Sequence, residues 1–400
     1  MIEITSCEVC NSQELTRVLD LGSHPLCDDL IPIGDATVCK EYPIEILFCE
    51  KCLTAHQRYQ VPKKTLFTEN YHYRSRMTGS VLTGMADFVE GCEKRFGDLN
   101  GKIVLDVGCN DGSLLNFFQE KGCITIGIEP TGAAMDSRHT TINEYFDSKS
   151  VNKVLSEVGK PDLIVFTNVF AHIEDLIGLI DNLKILLDDT TKIVIENHYL
   201  GAVFNSGQFD TFYHEHVRTY SYKSFEYIAD SLGMNVLDAE FVSRYGGDIR
   251  IYLGIGEAKN LDIDESNFAR CFEKLNKDLL EWKAEKGIMI NDYVKLNGSI
   301  RAKAFPGRAA ILVKLLDLDE RHISSVYEIT GSIKVQHYVP GTRIPILPER
   351  YLYLQDMSLP ILNLAWHIPD EVRANLSSNG YTGQVIDIKD KHILNESSFS

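Results

Sequence analysis

Between Gly101 and Pro130 the chain spells a short apolar strand, a glycine-punctuated turn, a helix, and a second strand that ends on an acid. Lys102 to Val107 is β-branched and apolar, as a strand buried on both faces requires. Gly108 and Gly112 allow a tight turn with close backbone approach to a ligand. Leu114, Leu115, Phe117 and Phe118 follow at helical spacing, and Ile124 to Ile128 repeats the strand pattern before Glu129 and Pro130. This order is the logic of an adenosine-binding α/β half, in which the carboxylate holds ribose hydroxyls. A dinucleotide needs G-x-G-x-x-G around its pyrophosphate, whereas Gly108-Cys-Asn-Asp-Gly112 carries Asp111 where a phosphate would sit. Carboxylates repel phosphate but suit the sulfonium and amino groups of S-adenosylmethionine. The turn therefore favours the methyl donor.

The alternation continues downstream. Pro161 to Ile173 reads as a later strand with a polar end at the carboxyl edge, where open α/β sheets bind ligands. Leu176 to Leu187 reads as a helix with an apolar stripe, and Lys192 to His198 as a strand tipped by Glu196, Asn197 and His198. Strands alternating with helices predict a doubly wound sheet.

Upstream stand two CxxC pairs, Cys7-Glu-Val-Cys10 and Cys49-Glu-Lys-Cys52. Each pair can put two thiolates on one turn, and two pairs complete a tetrahedral site. An iron–sulfur cluster would also accept four thiolates, but a loop of this length closing on paired knuckles reads as a zinc ribbon with a closed, structural site. Cys27 and Cys39 remain as spare thiols or as substitutes for one of the four.

Two further segments carry chemistry-bearing side chains. Asn70 to Ser75 is aromatic and polar and runs into an amphipathic stretch from Val81 to Phe96; aromatics ahead of a helix are ordinarily packing. Phe209 to Ser221 gathers Asp210, Tyr213, His214, Glu215, His216, Arg218 and Tyr220. Its His-x-His invites a metal reading, yet no carboxylate facial set accompanies it, and a polar capping loop is the plain alternative. Behind a methyl-donor domain, such a cluster suits removal of an acidic proton from carbon by a His or Glu supported by Tyr.

Of the 400 residues, 44% are hydrophobic and 24% charged, as in ordinary globular chains, and the length suits two or three domains. A net charge of −17 argues against non-specific nucleic-acid binding, while a few local arginines would still serve an anionic small molecule. No apolar run is long enough to span a bilayer, and the first residues lack a signal-peptide pattern, so a cytoplasmic location is the default expectation.

Taken together, the pattern resembles the sugar C-methyltransferase family, whose members methylate carbon 3 of nucleotide-linked 4-keto-deoxysugars. The resemblance rests on the two CxxC pairs, Gly22-Ser-His-Pro-Leu26, Tyr71-His-Tyr-Arg-Ser75, Asp106 to Ser113, Gly127-Ile-Glu-Pro130 and Asn168 to Ile173. It continues through Phe209 to His216, Gly246-Gly-Asp-Ile-Arg250, Pro340 to Ile346 and Leu364-Ala-Trp366, in order along nearly the whole chain. It implies an N-terminal zinc ribbon (1–70) held by Cys7, Cys10, Cys49 and Cys52, and a Rossmann-like class I methyltransferase domain (71–256). A helical linker (257–300) and a C-terminal α/β domain (301–400) contributing to substrate binding would follow. It further implies that Tyr73, His172, Tyr213, Glu215 and His216 line the active site, with His216 or Glu215 as the proton-abstracting base. Asp106, Gly108, Asn110, Asp111, Gly112, Glu129, Pro130 and Asn168 would hold the donor, and Arg250, Arg308 and His337 the nucleotide-linked sugar. Neither nucleic acid nor a membrane is expected as a partner.

Ile263 to Leu296 is a polar helical stretch with Phe268, Phe272, Leu275, Leu279 and Trp282 at core spacing. Beyond it, Ala309–Leu316 reads as a helix and Ser324–Ile329 as a strand. Tyr351–Leu354 and Leu364–His367 read as strand ends, and Val385–Ile388 as a strand. This region departs from the family's pattern at Arg308, where lysine is usual in a phosphate-facing loop, at Glu328 for aspartate and at His367 for asparagine; Asp248 stands where serine is common. Arginine still binds phosphate, in forked geometry. The departures bear on which nucleotide and sugar are taken. Two other readings of the scaffold are methyl transfer to oxygen or nitrogen of a sugar-linked substrate, and a catalytically silent nucleotide-sugar binding protein.

Overall fold

The computed structural model describes residues 1–67, 74–77, 79–259 and 261–390, so Tyr71, His72 and Tyr73 lie outside the described residues. Its centre is a seven-stranded sheet. Five parallel strands run in the spatial order Thr140–Ile142, Ile124–Ile128, Ile103–Val107, Leu163–Thr167, Lys192–His198; Asp248–Gly254 and Asn235–Val242 then extend the sheet antiparallel. The order reverses at Ile103–Val107: the chain first steps to one side, through Ile124–Ile128 and Thr140–Ile142, and then crosses to the other at Leu163–Thr167. That crevice at the carboxyl ends is where such sheets take ligands. The strands are Val- and Ile-rich because helices cover both faces: Val104, Leu105, Ile164, Val165, Ile193 and Val194 are all fully buried.

The run from Pro161 to Ile173 is strand only over Leu163–Thr167. Asn168 takes φ +55°, which ends the extended backbone, and Phe170–His172 forms a short 3₁₀ turn. Tyr351–Leu354 is not a strand end either but part of a 3₁₀ segment, Glu349–Leu354. Leu352 is its buried residue, with Tyr351 and Leu354 outward, which is a three-residue and not a two-residue period. Leu364–His367 likewise follows the strand Ile361–Asn363 instead of extending it.

The N-terminal sheet is antiparallel, in the order Thr16–Pro25, Glu41–Cys49, Thr54–Gln57, Arg218–Thr219. Its last strand comes from far along the chain, two residues after His216. The first domain therefore grips the segment that the sequence marks as chemical. A third, all-parallel sheet (Ile346–Pro348, Ile323–Glu328, Ile300–Lys303, Ile361–Asn363, Val385–Asp387) forms the C-terminal layer.

One helix, Phe268–Asn297, ties the three together. Phe268, Phe272, Leu275, Leu279, Trp282, Lys286 and Ile290 recur at three- and four-residue spacing and are buried on one stripe. Phe272 meets Phe48 and Phe212 with ring centroids 5.2 and 6.2 Å away, Asn276 donates to the Val18 carbonyl, and Trp282 Nε1 donates to the Ile388 carbonyl at 2.8 Å. Among the described residues, no helix is long and apolar enough to cross a membrane.

Candidate active site

A cavity of about 1420 Å³ opens at the strand reversal and runs between the central and C-terminal sheets. Cavities for one small ligand are typically about 300–1,000 Å³. This one has room for a donor and an acceptor side by side.

At the donor end the strand Ile103–Val107 delivers Asp106, and the turn after it is shaped by Gly108, Asn110 and Gly112, all with φ between +51° and +77°. Gly108 admits no side chain, since a Cβ there would lie 2.4 Å from Val169 Cγ2. Glu129 fixes the turn from the next strand: its carboxylate accepts from Asn110 N at 3.0 Å and Thr131 N at 2.8 Å. Burial, and then the nearby Glu129, push the Asp106 carboxyl up to about 8. Asp106, Gly108, Asn110, Glu129, Pro130 and Asn168 line the cavity. Asp111 does not: its carboxylate turns to Ser113 N and Oγ at the start of the next helix and accepts from Arg76 N, and Gly112 stands behind it. A buried carboxylate with apolar walls and a closed glycine turn fits a cationic, adenosine-bearing donor.

The acceptor end is built around His216. Phe209–Thr211 is a 3₁₀ turn, and the chain then passes Tyr213 and Glu215 before Val217 bonds the Ala171 carbonyl and the strand Arg218–Thr219 joins the N-terminal sheet. His216 Nδ1 lies 2.8 Å from the Thr211 carbonyl. A carbonyl only accepts, so Nδ1 carries the proton and Nε2 keeps its lone pair. Three rings surround it: Tyr213, His172 and His198, with centroids 4.3, 5.0 and 4.8 Å away. By the same logic His172 donates from Nδ1 to the Glu215 carbonyl at 2.9 Å. Burial, followed by the neighbouring imidazoles, holds His216 well below its ordinary range; burial takes His172 down to about 4. Burial, then Glu215, raises the Tyr213 phenol, which keeps its proton. His214 points away and meets the Tyr42 carbonyl at 3.0 Å, so the His-x-His pair is split between two environments and is not a metal pair.

Of the expected acceptor contacts, Arg308 lines the cavity. Its guanidinium lies 5.0 Å from the centroid of Trp366, with Nε 3.3 Å from Asp210, and Nη2 has no hydrogen-bond partner among the described residues. Arg250 reaches the cavity edge but its guanidinium is taken by Glu196 and Glu240, each at 2.7 Å. His337 is not brought to the cavity. Its Nδ1 meets the Val335 carbonyl at 3.2 Å and its backbone bridges to Pro32. Sequence reasoning missed His198, although it tips a strand at the carboxyl edge, the same signal that marked its neighbours. It also missed Cys27, a buried thiol beside Tyr213 and Glu215, and Lys334.

The four knuckle thiols gather with every Sγ within 4.8 Å of the others, Cys7–Cys52 at 3.3 Å and Cys10–Cys49 at 3.6 Å. A tetrahedral zinc with Zn–S near 2.3 Å sets sulfurs about 3.8 Å apart, so the cluster fits that ion. Cys27 and Cys39 stand outside it: Cys27 lines the cavity and Cys39 Sγ bonds the Asp29 carbonyl.

The chain is similar to known proteins along most of its length. A zinc binding domain model matches residues 7–67, a methyltransferase domain model 75–239, and a C-methyltransferase C-terminal domain model 256–386. The C-methyltransferase NovU of Streptomyces niveus is 24% identical over 405 aligned residues, covering 93% of this chain and 92% of that protein. The ubiquinone biosynthesis O-methyltransferase of Actinobacillus pleuropneumoniae serotype 5b is 28% identical over 109 residues, 24% of this chain and 45% of that one. Among solved structures, the magnesium protoporphyrin IX methyltransferase ChlM of Synechocystis PCC 6803 with bound SAM aligns over 42% of this chain and 77% of that one, at 15% identity and a TM-score of 0.32.

Proposed function

We propose that the chain is a sugar C-methyltransferase, an S-adenosylmethionine-dependent enzyme with a structural zinc, that methylates a carbon beside the ketone of a nucleotide-linked keto-sugar; the three domain matches, the likeness to NovU along the chain and the four-thiol cluster support this reading. The observation that carries this reading is the His216 tautomer. Its Nε2 is a neutral lone pair inside the cavity, held by Thr211 and walled by Tyr213 and His172. A base of that kind has no task in transfer to an already nucleophilic amine; a carbon beside a ketone needs one, as a hydroxyl would, and deuterium exchange separates those two.

S-adenosylmethionine, when bound, supplies a methyl group on a cationic sulfur. Asp106, Asn110, Glu129 and Asn168, which line the cavity, are the residues that would hold it. His216 Nε2 takes the proton from the carbon next to the carbonyl, and the C–H electron pair moves to give an enolate. The developing oxygen charge goes to the Tyr213 phenol, which retains its proton as a donor. Neutral His172 cannot share that task. With Nδ1 donating to Glu215, it offers only a lone pair at Nε2. Glu215, close to Tyr213, is the alternative base. Arg308, through its unpartnered Nη2, answers the substrate's phosphate charge.

The test is incubation of the full chain with labelled donor and a panel of nucleotide-linked 4-keto-deoxysugars in deuterated buffer, followed by mass spectrometry. Deuterium wash-in beside the carbonyl together with a methyl on carbon is expected. A methyl gained without exchange points to oxygen or nitrogen and overturns the enolate reading.

A further inference from the structure

His198 lines the same cavity and plays no part in the chemistry so far, and Asp248 is buried behind it. The imidazole of His198 is clamped. Tyr245 stacks along it with centroids 5.9 Å apart at 18°, and His216 packs against it at 4.8 Å, tilted by 56°. Its Nδ1 is fixed by Asn168, whose side chain cannot rotate freely because both ends are used. Asn168 Nδ2 donates to Asp248 Oδ2 at 2.9 Å, so Asn168 Oδ1 faces His198 Nδ1 at 3.1 Å and accepts its proton. Asp248 is fully buried, and its second oxygen, 3.6 Å from the same Nδ1, has no hydrogen-bond partner among the described residues. A serine at position 248 would offer one hydroxyl oxygen on a shorter side chain in place of the two carboxylate oxygens.

The consequence is a second fixed tautomer. Asp248 dictates the orientation of the Asn168 amide, the amide dictates the proton on His198 Nδ1, and His198 Nε2 is left as a lone pair. The imidazole is neutral, since burial, then the Arg308 cation, takes it down to about 3. His198 is mostly buried, with 12% of its side chain exposed, and it lines the cavity between Asn168 and His216. A neutral acceptor nitrogen in a confined cavity calls for a hydrogen-bond donor on the ligand. Its place beside His216 sets which donor. If His216 reaches the hydrogen on the reacting carbon, a nitrogen one ring away reaches a substituent of the adjacent carbon.

We infer that His198 is a specificity-determining residue whose Nε2 accepts a hydrogen bond from a hydroxyl or amino group next to the methylated carbon, with Asp248 acting through Asn168 as its positioning residue. This rests on the proposed function for the identity of the acceptor. It gives the acceptor site one requirement beyond the ketone and the phosphates: a polar hydrogen that deoxygenated analogues lack.

The experiment is calorimetric titration of the full chain, saturated with S-adenosylhomocysteine, with matched nucleotide-linked keto-sugars that carry or lack the hydroxyl beside the methylated carbon. The wild type is expected to bind the hydroxylated compound roughly tenfold or more tightly than its deoxy partner, the effect of leaving a confined acceptor unsatisfied. His198→Phe keeps the ring stack and removes the acceptor; it is expected to erase the preference by weakening the hydroxylated compound alone. His198→Gln, which keeps a polar acceptor, restores part of it and guards against a misfolded Phe variant. Asp248→Ser is expected to lower the preference without abolishing binding. Binding of both compounds with no preference in the wild type, or an unchanged preference in His198→Phe, overturns the inference and leaves the proposed function standing. Binding of neither compound to the wild type overturns both.

Discussion

Arg218 donates from Nη1 to the carboxylate of Glu8 at 2.6 Å, and this pair joins the zinc knuckle to the loop that carries His216. Glu8 lies between Cys7 and Cys10; Arg218 is two residues past His216, fully buried, and also donates to the Tyr220 hydroxyl at 2.8 Å and to the Ile173 carbonyl. None of the four thiols lines the cavity, so a zinc held there would act on the proposed site only by shaping the segment that carries His216.

Zinc removal is therefore expected to abolish turnover without emptying the donor site. A closed tetrathiolate site contributes folding free energy outright, and loss of the knuckle frees Arg218 and the strand Arg218–Thr219. Chelation should lower the methyl-transfer rate by roughly tenfold or more as His216 loses its alignment, while S-adenosylhomocysteine binding by calorimetry persists. Equal loss of both would mean that the N-terminal domain supports the whole fold and not the loop in particular. Glu8→Ala, which strands a buried guanidinium, should cost about 3–5 kcal/mol in chemical denaturation.

The His216 tautomer makes a prediction about pH. Its folded pKa is depressed, by burial first and then by His198 and His172, so the neutral, basic form persists below the ordinary histidine range. The rate of carbon deprotonation should stay level as pH falls from 8 through about 6.5, the value at which an exposed imidazole would already be half protonated and half inactive. A single limb centred on the ordinary histidine value would point to an exposed base elsewhere. His216→Ala should lower kcat by about 10²–10⁴ and remove deuterium wash-in, with donor affinity retained.

Asp106 offers a test at the donor end. Its folded pKa is raised to about 8, so at pH 7 the free protein holds it largely protonated. A cationic donor favours the carboxylate, so binding should release close to one proton at pH 7. Affinity should rise with pH, by up to about tenfold per unit, and level off above 8. Calorimetry in two buffers of different ionisation enthalpy measures the proton directly. Asp106→Asn should flatten the pH dependence; a slope that survived the substitution would move the linkage to another group.

The parts of this molecule that were legible in the sequence are those whose signal is local. Strands such as Ile124–Ile128 carry their burial in consecutive residues, and the paired cysteines carry their geometry in a two-residue spacing. What was illegible depends on contacts between distant segments or on the direction of one side chain. Asp111 shares the turn with Asn110, yet a hydrogen bond to Ser113 Oγ at 2.6 Å turns it away from the cavity. His198 matters only because Asn168, Asp248 and Tyr245 converge on it from three other segments. His337 shows the reverse, a titratable residue in a promising region that the fold spends on a loop contact.

Trp366 yields the last prediction, because it holds the active-site loop from the C-terminal side. Its Nε1 donates at 2.9 Å to Asp210 Oδ2, the oxygen that Arg308 Nε approaches at 3.3 Å, while Lys389 Nζ lies 3.9 Å from its ring centroid. Asp210 is fully buried, its other oxygen has no hydrogen-bond partner among the described residues, and it lies three positions before Tyr213. Trp366→Phe keeps an aromatic surface for the two cations but deletes the donor to a buried carboxylate. That should cost about 1–3 kcal/mol of stability. Because Asp210 anchors the start of the loop, kcat should fall more than the affinity for the donor, whose proposed site is the other end of the cavity. Denaturant titration and initial rates on one variant decide the matter. A loss of stability with kcat unchanged would reduce Trp366 to packing, and a fall in kcat with stability nearly intact would make the Asp210 contact a device for aligning Tyr213 and His216.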